Sequence, residues 1–143
     1  MTSPQVTHPL EGLSIEPRKI ITDERGSLLH MLKSSNSKHP VAEIYFSSVL
    51  PGADKGWKRH KIMWQRFTVP IGEIEFRFLD ERPNSATKGQ SFSIRVSRDC
   101  HALVTVPPGI WYSFRCTSGT EALIVNASDI EHDPTESETR PLV

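Results

Sequence analysis

Glu73-Ile74-Glu75-Phe76-Arg77-Phe78-Leu79-Asp80 alternates without a fault, with Ile74, Phe76 and Phe78 on one side and charge on the other. A period of two is that of a β-strand with one buried and one solvated face. Ser91-Phe92-Ser93-Ile94-Arg95-Val96-Ser97 repeats the pattern, so Phe92, Ile94 and Val96 join the expected core. Outward from this pair, residues 26–32, 41–50, 63–69, 102–106, 110–116 and 121–127 are rich in β-branched and aromatic side chains. Turn residues bound them, as at Pro51-Gly52 and Pro70-Ile71-Gly72. No stretch shows the capped 3.6-residue period of a helix. Roughly eight to ten strands, one about every ten residues, predict an all-β sandwich or barrel.

The 143 residues fit one domain, and the 36% of apolar side chains suffice for one core. Residues 1–17, polar at their start and carrying three prolines, read as an N-terminal arm. Residues 18–128 form the barrel, and the acidic residues 129–143 form a tail along its surface. Seventeen basic residues balance 17 acidic ones, which argues against nucleic acid or an anionic membrane as a partner held by bulk charge. No apolar run approaches the ~18 residues of a membrane helix, and Met1–Pro9 lacks a signal-peptide core. Cys100 and Cys116 are too few for a disulfide framework or a four-cysteine zinc site. A cytoplasmic protein is expected.

Gly56-Trp57-Lys58-Arg59-His60-Lys61-Ile62-Met63-Trp64-Gln65-Arg66 concentrates cations, a histidine and tryptophans in a chain of zero net charge. One reading is a solvated edge strand whose cations block sheet-to-sheet pairing. The other is an anion site, with Lys58 and Arg59 on phosphate oxygens and a tryptophan offering a flat face to a base or sugar. Val106-Pro107-Pro108-Gly109-Ile110-Trp111-Tyr112-Ser113-Phe114 turns sharply and then runs as an aromatic strand. Trp111 and Phe114 fit core packing, whereas the Tyr112 hydroxyl needs a partner if buried and is a candidate proton donor.

These segments, with Asp23-Glu24-Arg25-Gly26-Ser27-Leu28, Val69-Pro70-Ile71-Gly72-Glu73-Ile74, Asn126-Ala127-Ser128-Asp129, His132-Asp133-Pro134 and Arg140-Pro141 in order, resemble the RmlC-like cupins. That group contains the dTDP-4-dehydrorhamnose 3,5-epimerases and the related sugar 3,4-ketoisomerases. The resemblance runs from about Ile20 to Leu142. It implies a cupin-type antiparallel β-barrel, or jelly roll, acting on a nucleotide-linked 4-keto-6-deoxy sugar by proton abstraction beside the carbonyl. It also implies a homodimer in which strands are shared.

By the same resemblance His60 takes the catalytic base; the chemistry then needs an acid to return a proton on the opposite face, and the Tyr112 hydroxyl is the candidate. Arg25, His30, Lys58, Arg59, Gln65, Trp57 and Trp111 fall at substrate-binding positions. Leu28 and His30 replace a Phe and a Glu that contact nucleotide in the epimerases. Val125 replaces their catalytic tyrosine, and the acidic partner of the base belongs to a C-terminal segment expected to be missing here. Of the four ligand positions of a metal cupin, held here by Lys58, His60, Trp64 or Gln65, and Tyr112, one histidine survives. No metal and no other cofactor is therefore expected. Two classes of function stand beside each other at this point: an epimerase or ketoisomerase of polysaccharide or deoxysugar biosynthesis, and a non-catalytic module that binds a sugar nucleotide.

Overall fold

In the computed structural model, which describes residues 5–142, the alternating segments pair into two facing antiparallel sheets. Residues 1–4 of the predicted arm and Val143 of the predicted tail lie outside the described residues. The strands are β1 (Thr7–Leu10), β2 (Leu13–Pro17), β3 (Ile20–Asp23), β4 (Gly26–Leu29), β5 (Glu43–Val49) and β6 (Asp54–His60). They continue with β7 (Gln65–Ile71), β8 (Glu73–Asp80), β9 (Ser91–Ser97), β10 (Ala102–Val106), β11 (Ile110–Cys116), β12 (Ala122–Ser128) and β13 (Ser137–Thr139). One sheet has the order β1-β2-β10-β7-β12-β5, the other β13-β6-β11-β8-β9, and β3 and β4 form a separate two-stranded ribbon. This is the expected jelly-roll barrel.

The core lies between the sheets. Ile74, Phe76, Phe78 and Val96 are buried, and Phe92 and Ile94 pack against the same cluster while partly exposed. Facing residues come from Val49, Phe67, Val69, Val104 and Ile124. The turn from β7 to β8 needs its glycine, since Gly72 has φ +77° and a Cβ there would stand 2.7 Å from Ala122 Cα.

Both predicted ends differ from expectation. Residues 7–17 are not an arm: β2 pairs with β10 from Ala102↔Pro17 to Thr105↔Ser14, and Leu10, Leu13 and Ile15 enter the core. Burial of these three side chains outweighs the polar, proline-containing residues around them. The tail is not merely surface chain either. Asp133 caps a 3₁₀ turn, Pro134–Glu136, and β13 then pairs with β6, Ser137 opposite His60.

Arg66, at the start of β7, is fully buried on the far side of its sheet. Its guanidinium donates to Ala127 O, His39 O and Pro40 O at 2.7–2.9 Å and to Ser37 Oγ at 2.8 Å. That satisfies the buried charge and clamps the loop before β5, so this cation of the basic segment is consumed by the fold.

Candidate active site

Strand alternation sorts the basic segment onto two faces. Along β6, Lys58 and His60 point between the sheets, while Trp57 and Arg59 point outward. A bulge sets the phase: Tyr112 pairs with Lys58 and the next residue, Ser113, with Gly56. Gly56 makes that approach possible, because with φ +113° a Cβ would stand 2.7 Å from Tyr112 O and Ser113 Cα. On β11, Tyr112 faces inward and Trp111 outward. Gln65 opens β7 on the inward side. Together Lys58, His60, Gln65 and Tyr112 line one part of a cavity of about 610 Å³ between the sheets. Tyr45 of β5, Asn126 of β12 and His132 of the tail also line it, with Lys55 and several apolar side chains.

The centre of this site is a line of three side chains. His60 Nδ1 lies 2.5 Å from Glu136 Oε1, and His60 Nε2 lies 3.2 Å from the Tyr112 hydroxyl. The other carboxylate oxygen of Glu136 accepts the backbone N–H groups of Ile62 and Met63, both at 2.8 Å. Burial raises the Glu136 carboxyl, but the hydrogen bonds from His60 and from these two amides more than reverse that and hold it below its ordinary range. Burial lowers the His60 imidazole, against the pull of Glu136, and the Lys58 ammonium lowers it further. The stable arrangement is thus a carboxylate beside a neutral imidazole. Nδ1 carries the proton and donates it to Glu136, and Nε2 keeps its lone pair, which meets the Tyr112 hydroxyl on the cavity wall.

Burial also raises the Tyr112 phenol well above its ordinary value. It stays a neutral O–H that donates to His60 Nε2 while accepting from Gln65 Nε2 at 3.2 Å. The chain therefore does hold an acidic partner for His60. The expectation that it is missing is corrected: the turn at Asp133 and the pairing of β13 with β6 return Glu136 to His60. Tyr112 also stands beside His60 on one wall, and does not face it across the cavity.

The remaining predicted residues lie elsewhere. Arg59 pairs with Glu138 at 2.5 Å and lies 4.5 Å over the Trp111 ring, on the outer face of the five-stranded sheet. Trp111 is buried there, between Arg59 and Arg140, and Arg140 also approaches Trp57. Adjacent residues of a strand point to opposite faces, so Lys58 and Arg59, or Trp111 and Tyr112, cannot share one cavity. Arg25 sits at the tip of the β3–β4 ribbon, its side chain 84% exposed and paired with Asp23. His30 lines a separate cleft with Arg18 and Lys33. Glu136, Tyr45, Asn126 and His132 are the site residues the sequence reading missed or left to the surface; the Asp133-Pro134-Thr135-Glu136 turn signal was the available clue to the first. Among the described residues no group of three or more His, Cys, Asp or Glu is placed to hold a metal ion.

No family model matches the chain. Among curated proteins it is 22% identical over 120 residues to a probable low-salt glycan biosynthesis epimerase of Haloferax volcanii, covering 82% of this chain and 77% of that protein. Over 132 residues it is 20% identical to the Bacillus subtilis spore coat polysaccharide biosynthesis protein SpsL, covering 92% and 87%. The fold matches a 3′-monoepimerase of Streptomyces bikiniensis, solved with dTDP-quinovose, at a TM-score of 0.86 and 19% identity over 95% of this chain and 74% of that one. A dTDP sugar isomerase of Desulfovibrio desulfuricans matches at a TM-score of 0.90 and 39% identity, over 97% of this chain and 88% of that one. With that identity over nearly the whole of both chains, added to the cupin barrel and its histidine strand, the chain belongs to the RmlC-like family of dTDP-sugar isomerases and epimerases.

Proposed function

We propose that this protein is an isomerase of a nucleotide-linked 4-keto-6-deoxy sugar, working in deoxysugar or polysaccharide biosynthesis, with His60 as its base. The observation that carries the residue assignment is the Glu136–His60–Tyr112 line on the cavity wall. Nε2 of His60 takes the proton from the carbon beside the keto group, and the C–H electron pair becomes the C=C bond of an enolate. The carbonyl pair moves onto oxygen, where the Lys58 ammonium and the Tyr112 O–H are placed to meet the growing charge. Lys58 makes no ion pair among the described residues, so its charge is available to the cavity.

The single wall favours keto migration. The imidazolium returns its proton to the former carbonyl carbon, the neighbouring hydroxyl passes its proton to the former carbonyl oxygen, and the carbonyl reappears one carbon away. Tyr112, beside His60, is placed to carry the hydroxyl proton. Epimerisation is the second reading, and Tyr45 supports it. This residue lies on the other sheet with its hydroxyl donated to Glu43 Oε1 at 2.9 Å, and it could serve the opposite face of the sugar.

A homodimer completes the reading. Among the described residues the β3–β4 ribbon pairs with no other strand, and Ile21 and Leu28 on it are 48% and 59% exposed. The outer edge of β5 is also unpaired, with Ile44 and Phe46 at 55% and 69%. A second copy would cover these surfaces, and the ribbon would carry Arg25 toward the partner's diphosphate, which Arg25 does not reach in its own chain. The unpaired Cys100 and Cys116 fit a cytoplasmic enzyme. No helix among the described residues is long and apolar enough to cross a membrane.

The test is incubation with a dTDP-linked 4-keto-6-deoxyhexose in deuterated water, followed by NMR. Deuterium on the former carbonyl carbon with a shifted carbonyl means keto migration. Deuterium on an inverted carbon beside an unmoved carbonyl means epimerisation. Binding with neither exchange nor any change in the sugar would overturn the isomerase.

A further inference from the structure

Glu136 is held against His60 by the Asp133 turn, by the Lys61 N–H on its carbonyl at 2.9 Å, by the Ile62 and Met63 amides on its carboxylate, and by the register of a three-residue edge strand on β6. A slip of one residue would move Glu136 by about 3.3 Å, out of hydrogen-bond reach. The strand's backbone pairing is short: Ser137↔His60 to Thr139↔Lys58, continued by the exchange of bonds between Arg140 and Trp57 at 3.1 and 3.2 Å. Two ion pairs flank it, Arg59–Glu138 at 2.5 Å and Arg140–Glu81 at 3.1 Å. Both are partly exposed, and exposed pairs fix little by themselves.

Between them lies Trp111, only 5% exposed. The Arg59 guanidinium sits 4.5 Å from its ring centroid and that of Arg140 4.4 Å. The indole Nε1 is buried and has no hydrogen-bond partner among the described residues, so no protein acceptor among them holds the ring by its N–H. Its use is a flat, desolvated face for cations, one supplied by the histidine strand and the other by the tail.

We propose that Trp111 is a positioning residue. By holding Arg59 of β6 and Arg140 of the tail together, it locks the register of β13 and so sets Glu136 on His60 Nδ1. Trp111 touches nothing in the cavity; its effect on the reaction passes through the tail strand and Glu136. The kinetic part of the test rests on His60 being the base, whereas the spectroscopic part does not.

The test compares Trp111→Leu with Trp111→Phe, which keeps an aromatic face. The readouts are kcat and KM on the dTDP-linked 4-keto sugar, and the downfield proton resonance of the His60 Nδ1–H held by Glu136. The expected result for W111L is loss of that resonance and a fall in kcat of up to about 100-fold at little-changed KM, the cost of a small misplacement of a catalytic group. W111F should restore both. Loss of the resonance with unchanged kcat would keep the latch and overturn the base assignment. A folded W111L that keeps the resonance, whatever its activity, overturns the latch, as does a W111F as defective as W111L. If W111L does not fold, Arg140→Met removes one cation and leaves the ring; it should weaken the same resonance, and an unchanged resonance there overturns the proposal.

Discussion

Nδ1 of His60 lies 2.5 Å from Oε1 of Glu136, which follows it by 76 residues in the chain. The contact fixes the imidazole tautomer, because a carboxylate already holding two backbone amides can only accept. Glu136→Gln should therefore be worse than its size suggests. The amide can present its N–H to Nδ1 and turn the proton onto Nε2, where the lone pair is needed. A loss of about 10²–10⁴-fold in kcat is expected, with KM little changed. Steady-state kinetics on purified E136Q checks it; an effect confined to KM would place Glu136 in binding.

The pH dependence follows from His60. Its folded-state value lies below the ordinary one of about 6.5, mainly through burial. Since the folded state resists protonation, its contribution to stability is present above about 6.5 and is lost as pH falls through the folded value. Glu136, also held low, loses its contribution in the more acid range where carboxylates titrate. The acid limb of kcat/KM should fall below pH 6.5, and the melting temperature should start to drop in the same region. A limb at or above pH 7 would contradict a neutral, buried base.

Lys58 contributes to that low value by charge repulsion. Lys58→Met should move the acid limb toward higher pH, because the nearby positive charge is gone and protonation of His60 becomes easier. It should also slow turnover by roughly 10–100-fold if the ammonium stabilises the enolate. A pH–rate profile of the variant separates the effects: an unmoved limb would mean that Lys58 does not face His60 closely.

Arg66→Met should destabilise the barrel by at least about 3 kcal/mol, since it strands several buried acceptors at once. Arg66→Lys should rescue little, because a point charge cannot serve acceptors spread around a planar fork. Urea unfolding of the three proteins checks this; a lysine variant as stable as the parent would show that charge alone suffices.

The fold was legible where the signal was local. Ile74, Phe76 and Phe78 announce a half-buried strand whatever lies around them. The grouping of His60, Lys58, Tyr112 and Gln65 was legible because short motifs put the first three on the paired strands β6 and β11 and Gln65 at the start of β7. The outward residues were not separated from these. Arg59 follows Lys58 and Trp111 precedes Tyr112, so alternation alone divides each pair, but the bulge at Trp57 sets the phase, and its mark in the sequence, Gly56, does not say which residue is the extra one. Leu10, Leu13 and Ile15 were hidden by polar neighbours. Glu136 was the least legible, because its place depends on one capped turn and on a three-residue strand whose register is fixed by residues far away in sequence.

The central claim is that His60 removes the proton. His60→Asn keeps an N–H donor for Glu136 and removes the basic nitrogen, so the barrel should stay folded. The measurement is the rate of deuterium incorporation beside the carbonyl of a dTDP-linked 4-keto-6-deoxyhexose in deuterated water, with ligand affinity measured in parallel. The account predicts a fall of about 10²–10⁴-fold in that rate at nearly unchanged affinity. A variant that exchanges deuterium as fast as the parent would contradict it.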